Sequence, residues 1–318
     1  MNLFQNYLVE EFAEDYQEGQ LSRREALKLI AAITGSLFLA NSILGSDTSS
    51  VQASELREPV TIPRPSPTPV AALPPSTNTP QVIVEPDDPA IKAGDVKFTG
   101  QDSATLLGYL SRPSGAGSYP VVLVCHENRG LTDHIKDVTR RLAKAGYVSL
   151  AVDLLSRQGG SSTLNSDDVP GLLGNISPTQ FVQDFNSGWS YVQKQPFVQA
   201  GKVGMVGFCF GGGVTWQVAV NMPDLRAAVP FYGPPPTVED IPKIEAAVLA
   251  FYGSQDTRIT STAPTIEKAM KDNGKIFEKM IYPDAGHAFF NNTGARYNPQ
   301  AAADAWKRTL DWFGNFLR

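Results

Sequence analysis

The segment Lys202-Val203-Gly204-Met205-Val206-Gly207-Phe208-Cys209-Phe210-Gly211-Gly212-Gly213 runs an apolar strand into Gly-x-Cys-x-Gly and then into a helix. That is the pattern of a nucleophile elbow, with sulfur in place of a serine oxygen. The nucleophile of such an elbow sits in a strained turn where side chains two residues away would clash, which is what Gly207 and Gly211 avoid. The helix start beneath Cys209 favours a thiolate, so the thiol is expected to ionise below the ordinary value of about 8.5. A phosphate-binding loop is the rival reading, but the stretch lacks Gly-x-Gly-x-x-Gly and a following Lys-Ser or Lys-Thr. The bland alternative is a buried cysteine in a glycine turn.

A cysteine nucleophile needs a base, and the base needs a group to orient it. Nucleophile elbows are followed in chain order by an acid and then a histidine, each from a loop after a later strand. Ala247 to Tyr252 reads as a strand ending in Gly253-Ser254-Gln255-Asp256, and Phe277 to Tyr282 as one ending in Pro283-Asp284-Ala285-Gly286-His287. His287 is then the acceptor of the Cys209 proton, and Asp256 fixes its tautomer and stabilises the imidazolium. Asp284 is a rival acid, but at three residues from the histidine it reads better as a turn former.

The elements that must position these groups alternate along the chain. Strand candidates are Val96 to Thr99, Thr105 to Leu110, Val121 to Cys125, Val148 to Asp153, Val203 to Val206, Ala227 to Phe231, Ala247 to Tyr252 and Phe277 to Tyr282. Between them Ile135, Val138 and Leu142 share a helix face after a Thr132 cap, and Val214, Val218 and Met222 share one after Cys209. Strands alternating with helices predict an α/β fold, a mainly parallel sheet of about eight strands covered on both faces.

The set Cys125-His126-Glu127-Asn128-Arg129-Gly130, Gly207-Phe208-Cys209-Phe210-Gly211-Gly212, Gly253-Ser254-Gln255-Asp256 and Gly286-His287-Ala288-Phe289 resembles the dienelactone hydrolase family, a cysteine-using branch of the α/β-hydrolases. The resemblance spans roughly residues 94–318. It implies an oxyanion hole made by the amides of Asn128 and Phe210, and a glutamate, Glu127, that modulates the nucleophile's ionisation. An ion pair with Arg129 is the alternative role for Glu127. His126 and His134 read as structural, and Cys125 as packing, the alternative in an exported domain being that it comes near Cys209 and is oxidised with it. Well-known members hold a substrate carboxylate with arginines, one just after the histidine. Here Ala288-Phe289-Phe290-Asn291-Asn292 offers none before Arg296, and Leu154 to Gln180 offers only Arg157. Dienelactone itself is therefore not the expected substrate; an activated small-molecule ester or lactone is, with no metal and no organic cofactor.

Ahead of this domain, taken as residues 93–318, lie two other zones. Residues 1–54 read as a leader: Ser22-Arg23-Arg24-Glu25-Ala26-Leu27-Lys28 is similar to a twin-arginine export signature and precedes the uncharged stretch Leu29 to Leu44. That stretch is shorter than a span of about 20 residues, and Val51-Gln52-Ala53 has small-x-small character. Asn2 to Gln20 is acidic, with Leu3, Phe4, Tyr7, Leu8 and Phe12 at helical spacing. The alternative is a buried amphipathic helix pair. Residues 55–92 are proline-rich and read as an extended stalk, or less well as a ligand for an aromatic groove. The expectation is an exported hydrolase, its membrane contact limited to the N-terminal segment, that forms an acyl-thioester on Cys209. A cell-envelope or polysaccharide esterase, or a non-catalytic module on the same fold, are the alternatives.

Composition limits the classes further. The 318 residues carry 27 Lys plus Arg against 32 Asp plus Glu, a net charge of −5 that gives no basic excess for nucleic acid. Two cysteines and three histidines are too few for a disulfide framework or a four-thiolate zinc site.

Overall fold

The computed structural model describes residues 1–45 and 83–318. Most of the expected stalk, and the small-x-small stretch Val51 to Ala53, lie outside the described residues. Three helices come first: α1 (Leu3–Gln17), α2 (Arg23–Thr34) and α3 (Leu37–Ile43). Then follow β1 (Ile91–Thr99), β2 (Thr105–Pro113), β3 (Tyr119–Cys125), α4 (Asp133–Lys144), β4 (Val148–Asp153), α5 (Val169–Gly174), α6 (Pro178–Val192) and β5 (Val198–Phe208). The chain continues through α7 (Phe210–Asn221), β6 (Ala227–Phe231), β7 (Ala247–Gly253), α8 (Thr257–Thr260), α9 (Ala263–Asp272), β8 (Phe277–Tyr282) and α10 (Pro299–Leu317).

The strands form one eight-stranded sheet in the order β1-β2-β4-β3-β5-β6-β7-β8. β1 and β2 are antiparallel to their neighbours, and β4 through β8 run parallel. The continuous apolar runs of β3, β4, β6 and β7 are buried along nearly their whole length, as a parallel sheet covered on both faces requires. Helices α6 and α7 pack together against the sheet, and α4 and α10 also lie against it. The α/β architecture expected from the alternation is therefore present. β1 begins earlier than its apolar run suggests because Lys92 and Ala93 complete the ladder with Arg112 and Ser111, and β5 does so because Val198 pairs with Tyr119.

The described residues add two findings on the N-terminal half. Within 55–92, residues 83–92 are not stalk: the Ile83 and Val84 amides donate to Asp137, Arg140 donates to the Val84 carbonyl, and β1 opens at Ile91. The leader, in turn, is folded against the domain. Capping boxes at Asn2/Gln5 and Ser22/Glu25 start α1 and α2, and Gly35 ends α2 in the left-handed conformation at φ 70°. Phe4, Leu8, Phe12, Leu29, Ile30 and Ile33 are all buried in the main core. Among the described residues no helix is long and apolar enough to cross a membrane.

Candidate active site

Five parallel strands deliver their C-terminal ends to one place, where open α/β sheets place their sites. β3 leads to Glu127 and Asn128, β5 to Cys209, β6 to Tyr232, β7 to Asp256 and β8 to His287. Cys209 sits between β5 and α7 at φ 56° and ψ −122°, a conformation costly for any residue with a Cβ. The elbow's glycines are required by close backbone approach. A Cβ on Gly207 would overlap the Gly211 carbonyl, and one on Gly211 would meet the carbonyls of His126 and Cys125. The Phe210 amide, at the first position of α7, has no acceptor within its own helix.

Asp256 is fixed twice. One carboxylate oxygen caps α8 through the Ile259 amide at 3.4 Å, and the other accepts from His287 Nδ1 at 2.7 Å. Burial opposes charge on Asp256, but His287 and Arg258 outweigh it and hold the carboxyl below its usual range. Burial also opposes charge on His287, yet Asp256 raises its pKa well above the ordinary value. Asp284 makes no such bond. It occupies a positive-φ turn position at 55°, its amide donating to Ser254 Oγ and its carbonyl accepting from Asn298.

Cys209 Sγ, His287 and a carboxylate lie within 4.8 Å of one another, all buried, and that carboxylate is Glu11 of α1. The thiol donates to Glu11 Oε1 at 3.3 Å, Asn128 Nδ2 donates to the same oxygen at 3.1 Å, and His287 Nε2 lies 3.5 Å from it. The Tyr7 hydroxyl stands 3.2 Å from Sγ and 3.3 Å from His287 Nε2. In this enclosure the thiol is pushed up to about 11, by burial first and by Glu11 second, against the lowering effect of His287. The expectation of a thiol ionising below 8.5 is therefore overturned for the closed arrangement: loss of solvent and a facing carboxylate exceed what a helix start supplies.

Glu127 accepts from Asn291 Nδ2 at 2.6 Å, while its other oxygen is buried without a partner. Burial pushes its carboxyl up to about 7, and no ion pair with Arg129 is formed; Arg129 donates to the Ser166 carbonyl instead. His126 bonds the Glu127 carbonyl and accepts from the Leu154 amide, and His134 bonds Asn292, both as structural groups. Cys125 and Cys209 are both free thiols. Thr132 starts α4 without a side-chain capping bond. Arg157 is held away from the site by Asp184 and Asp102.

Residues missed at the sequence level come mainly from α1, together with the groups that hold it. Arg258 pairs with Glu14 at 3.0 Å and lies 4.7 Å over the Tyr7 ring. Arg296 pairs with Asp15 and Glu18, and it lines a cavity of about 550 Å³ that also borders Asp256, His287 and Glu14. Tyr232, at φ 36°, places its ring 5.0 Å from that of His287, and its hydroxyl is buried without a hydrogen bond. Nothing in the local pattern around Tyr7 or Glu11 signals these contacts; only the amphipathic spacing of α1 hinted that it had a surface to cover.

Residues 106–317 match the model of the dienelactone hydrolase family. A protein of Methylorubrum extorquens described as a putative carboxymethylenebutenolidase is 33% identical over 74% of this chain and 85% of its own length. One of Synechocystis with the same description is 36% identical over 67% of this chain and 93% of its own. Among solved structures, one described as a putative dienelactone hydrolase from Klebsiella pneumoniae superposes with a TM-score of 0.67 at 32% identity, covering 71% of this chain and all of that one.

Proposed function

The chain belongs to the dienelactone hydrolase family and is a carboxylic-ester hydrolase of that kind, and from that premise we propose that it cleaves small activated esters or lactones by covalent catalysis at Cys209. In this reading His287 Nε2 takes the thiol proton as sulfur attacks the carbonyl carbon. The Asn128 and Phe210 amides hold the resulting oxyanion, and collapse expels the alcohol, protonated by His287. Water activated by His287 then hydrolyses the acyl-thioester and releases the acid. The observation that carries this reading is the Asp256–His287 bond at 2.7 Å beside a strained Cys209, whose sulfur lies within 4.8 Å of a His287 ring nitrogen. Two preorganised donors at the oxyanion contribute about 3–4 kcal/mol each to the barrier reduction.

Glu127 tunes the reaction. With a carboxyl pushed up to about 7, it changes charge near neutral pH and moves the ionisation of Cys209 with it. We further propose that the natural location is outside the cytoplasm, which the paired Arg23 and Arg24 support. The test of activity is a screen against short p-nitrophenyl esters and lactones of a chain whose first helix is undocked by Phe4→Asp with Leu8→Asp, beside the same chain carrying Cys209→Ala. Turnover that vanishes in the variant is expected; equal turnover in both sinks the assignment.

A further inference from the structure

We propose that α1 is a reversible plug for the active site, and that Glu11 occupies the position of the acyl group so that the docked chain is latent. The proposal rests on Cys209 being the nucleophile. A carbonyl about to be attacked must lie about 3–3.5 Å from sulfur. Glu11 already fills that shell, 3.3 Å from Sγ, 3.1 Å from Asn128 Nδ2 and 3.5 Å from His287 Nε2. A carboxylate on the nucleophile beside the catalytic imidazole is what the acid product of ester hydrolysis would present. Tyr7 completes the block by contacting both Sγ and His287 Nε2, so both groups are engaged by the helix. Cys209 is 3% exposed in consequence.

The docking is built rather than incidental. Phe4 packs edge-on to Phe181 with ring centroids 5.1 Å apart and lies 4.9 Å from Phe210, beside the elbow. Ala32 of α2 fits so closely over Gly171 of α5 that an added Cβ there would lie 2.8 Å from it. Ion pairs to Arg258 and Arg296 close the outer edge. Burial and the Glu11 charge are also the two largest causes that keep the thiol protonated, and both go when the helix leaves. Release is available because α1 to α3 precede every strand of the sheet and contribute none to it, so their departure leaves the ladders intact. Leu29, Ile30 and Ile33, buried in the docked state, belong to the stretch read as an export segment. The two uses exclude each other, so a membrane that took up that stretch would withdraw Glu11 from Cys209.

The test compares the full chain with two release variants, Phe4→Asp/Leu8→Asp, which removes the apolar anchor, and Glu14→Arg/Glu18→Arg, which turns the outer ion pairs into repulsion without touching the core. Alkylation of Cys209 by iodoacetamide is followed by peptide mass and hydrolysis of p-nitrophenyl acetate by absorbance, with circular dichroism verifying the fold. The plug predicts that both rates rise about tenfold or more in a folded release variant. Equal alkylation rates in wild type and a release variant shown by cross-linking to be undocked overturn it. So does turnover that is present in wild type and lost on release, since α1 would then be part of the working site. Faster alkylation with no ester turnover in any form leaves the plug standing and refutes the hydrolase reading instead.

Discussion

Replacing Asp256 by Asn separates positioning of the base from architecture, because the two oxygens of this carboxylate do different jobs. The oxygen facing Ile259 caps the short helix α8. Asn serves equally well as an N-cap, so the roughly 0.5–2 kcal/mol attached to a cap is retained and the fold should persist. The oxygen facing His287 accepts a charge-assisted bond at 2.7 Å in a buried setting. An amide there presents either a neutral acceptor or an N–H against an N–H, so the imidazole loses its charge stabilisation and is driven to the wrong tautomer. By analogy with a triad aspartate changed in this way, kcat/KM should fall about 10⁴-fold, or about 5 kcal/mol of barrier. Asp284→Asn should cost less than about threefold, since only its backbone is engaged. The variant should also alter stability against pH. In the parent, His287 has a raised folded pKa, so its contribution is complete below the unfolded value of about 6.5 and is lost as pH rises through the folded value; Asp256 has a lowered one, and its contribution is lost as pH falls through it. Melting temperature as a function of pH should therefore flatten in Asp256→Asn. Measured in a chain with α1 released and with p-nitrophenyl acetate as substrate, equal losses for the two asparagine variants would refute the assignment of Asp256.

Glu127→Gln removes a buried acid whose carboxyl is raised to about 7 from 4.5. Charging this group in the fold is unfavourable, so the variant's gain in stability should grow from about pH 4.5 to 7 and then level off, to at most about 3 kcal/mol; a melting series that shows no pH-dependent difference contradicts this. In the same variant, alkylation of Cys209 should lose any inflection near pH 7, and persistence of that inflection would assign it to another group. Gly211→Ala places a methyl against the backbone of Cys125 and His126, neither of which is a flexible side-chain end. It should cost about 1–3 kcal/mol in urea unfolding together with most of the activity, and a variant with parental stability and turnover would show that the elbow relaxes freely.

The convergence of Cys209, Asp256 and His287 was legible because each follows an apolar run that reads as a strand, and strand ends in parallel sheets converge. Gly207 and Gly211 carried their meaning in the sequence for the same reason, since their neighbours are fixed by the turn itself. The role of the first helix was not legible. Glu11 meets Cys209 across 198 positions, and no local pattern distinguishes an amphipathic helix that covers a site from one that leads an export segment. The ionisation of the thiol was misjudged with it, because the helix start is visible in the sequence whereas the enclosure by Tyr7 and Glu11 is not. Residues 83–92 escaped for a third reason: their anchoring uses Asp137 and Arg140, which stand apart from the apolar Ile135, Val138 and Leu142 positions that mark α4 in the sequence.

The central claim is that Cys209 forms the acyl-enzyme, and quenched-flow mass spectrometry of a release variant mixed with p-nitrophenyl acetate tests it directly. The account predicts a transient protein mass increase of one acetyl group, mapped to the peptide containing Cys209, absent in Cys209→Ala and longer-lived in His287→Ala if acylation is forced with a more activated ester. Ester hydrolysis at the full rate with no acyl group on Cys209, or with the acyl group on another residue, would contradict it.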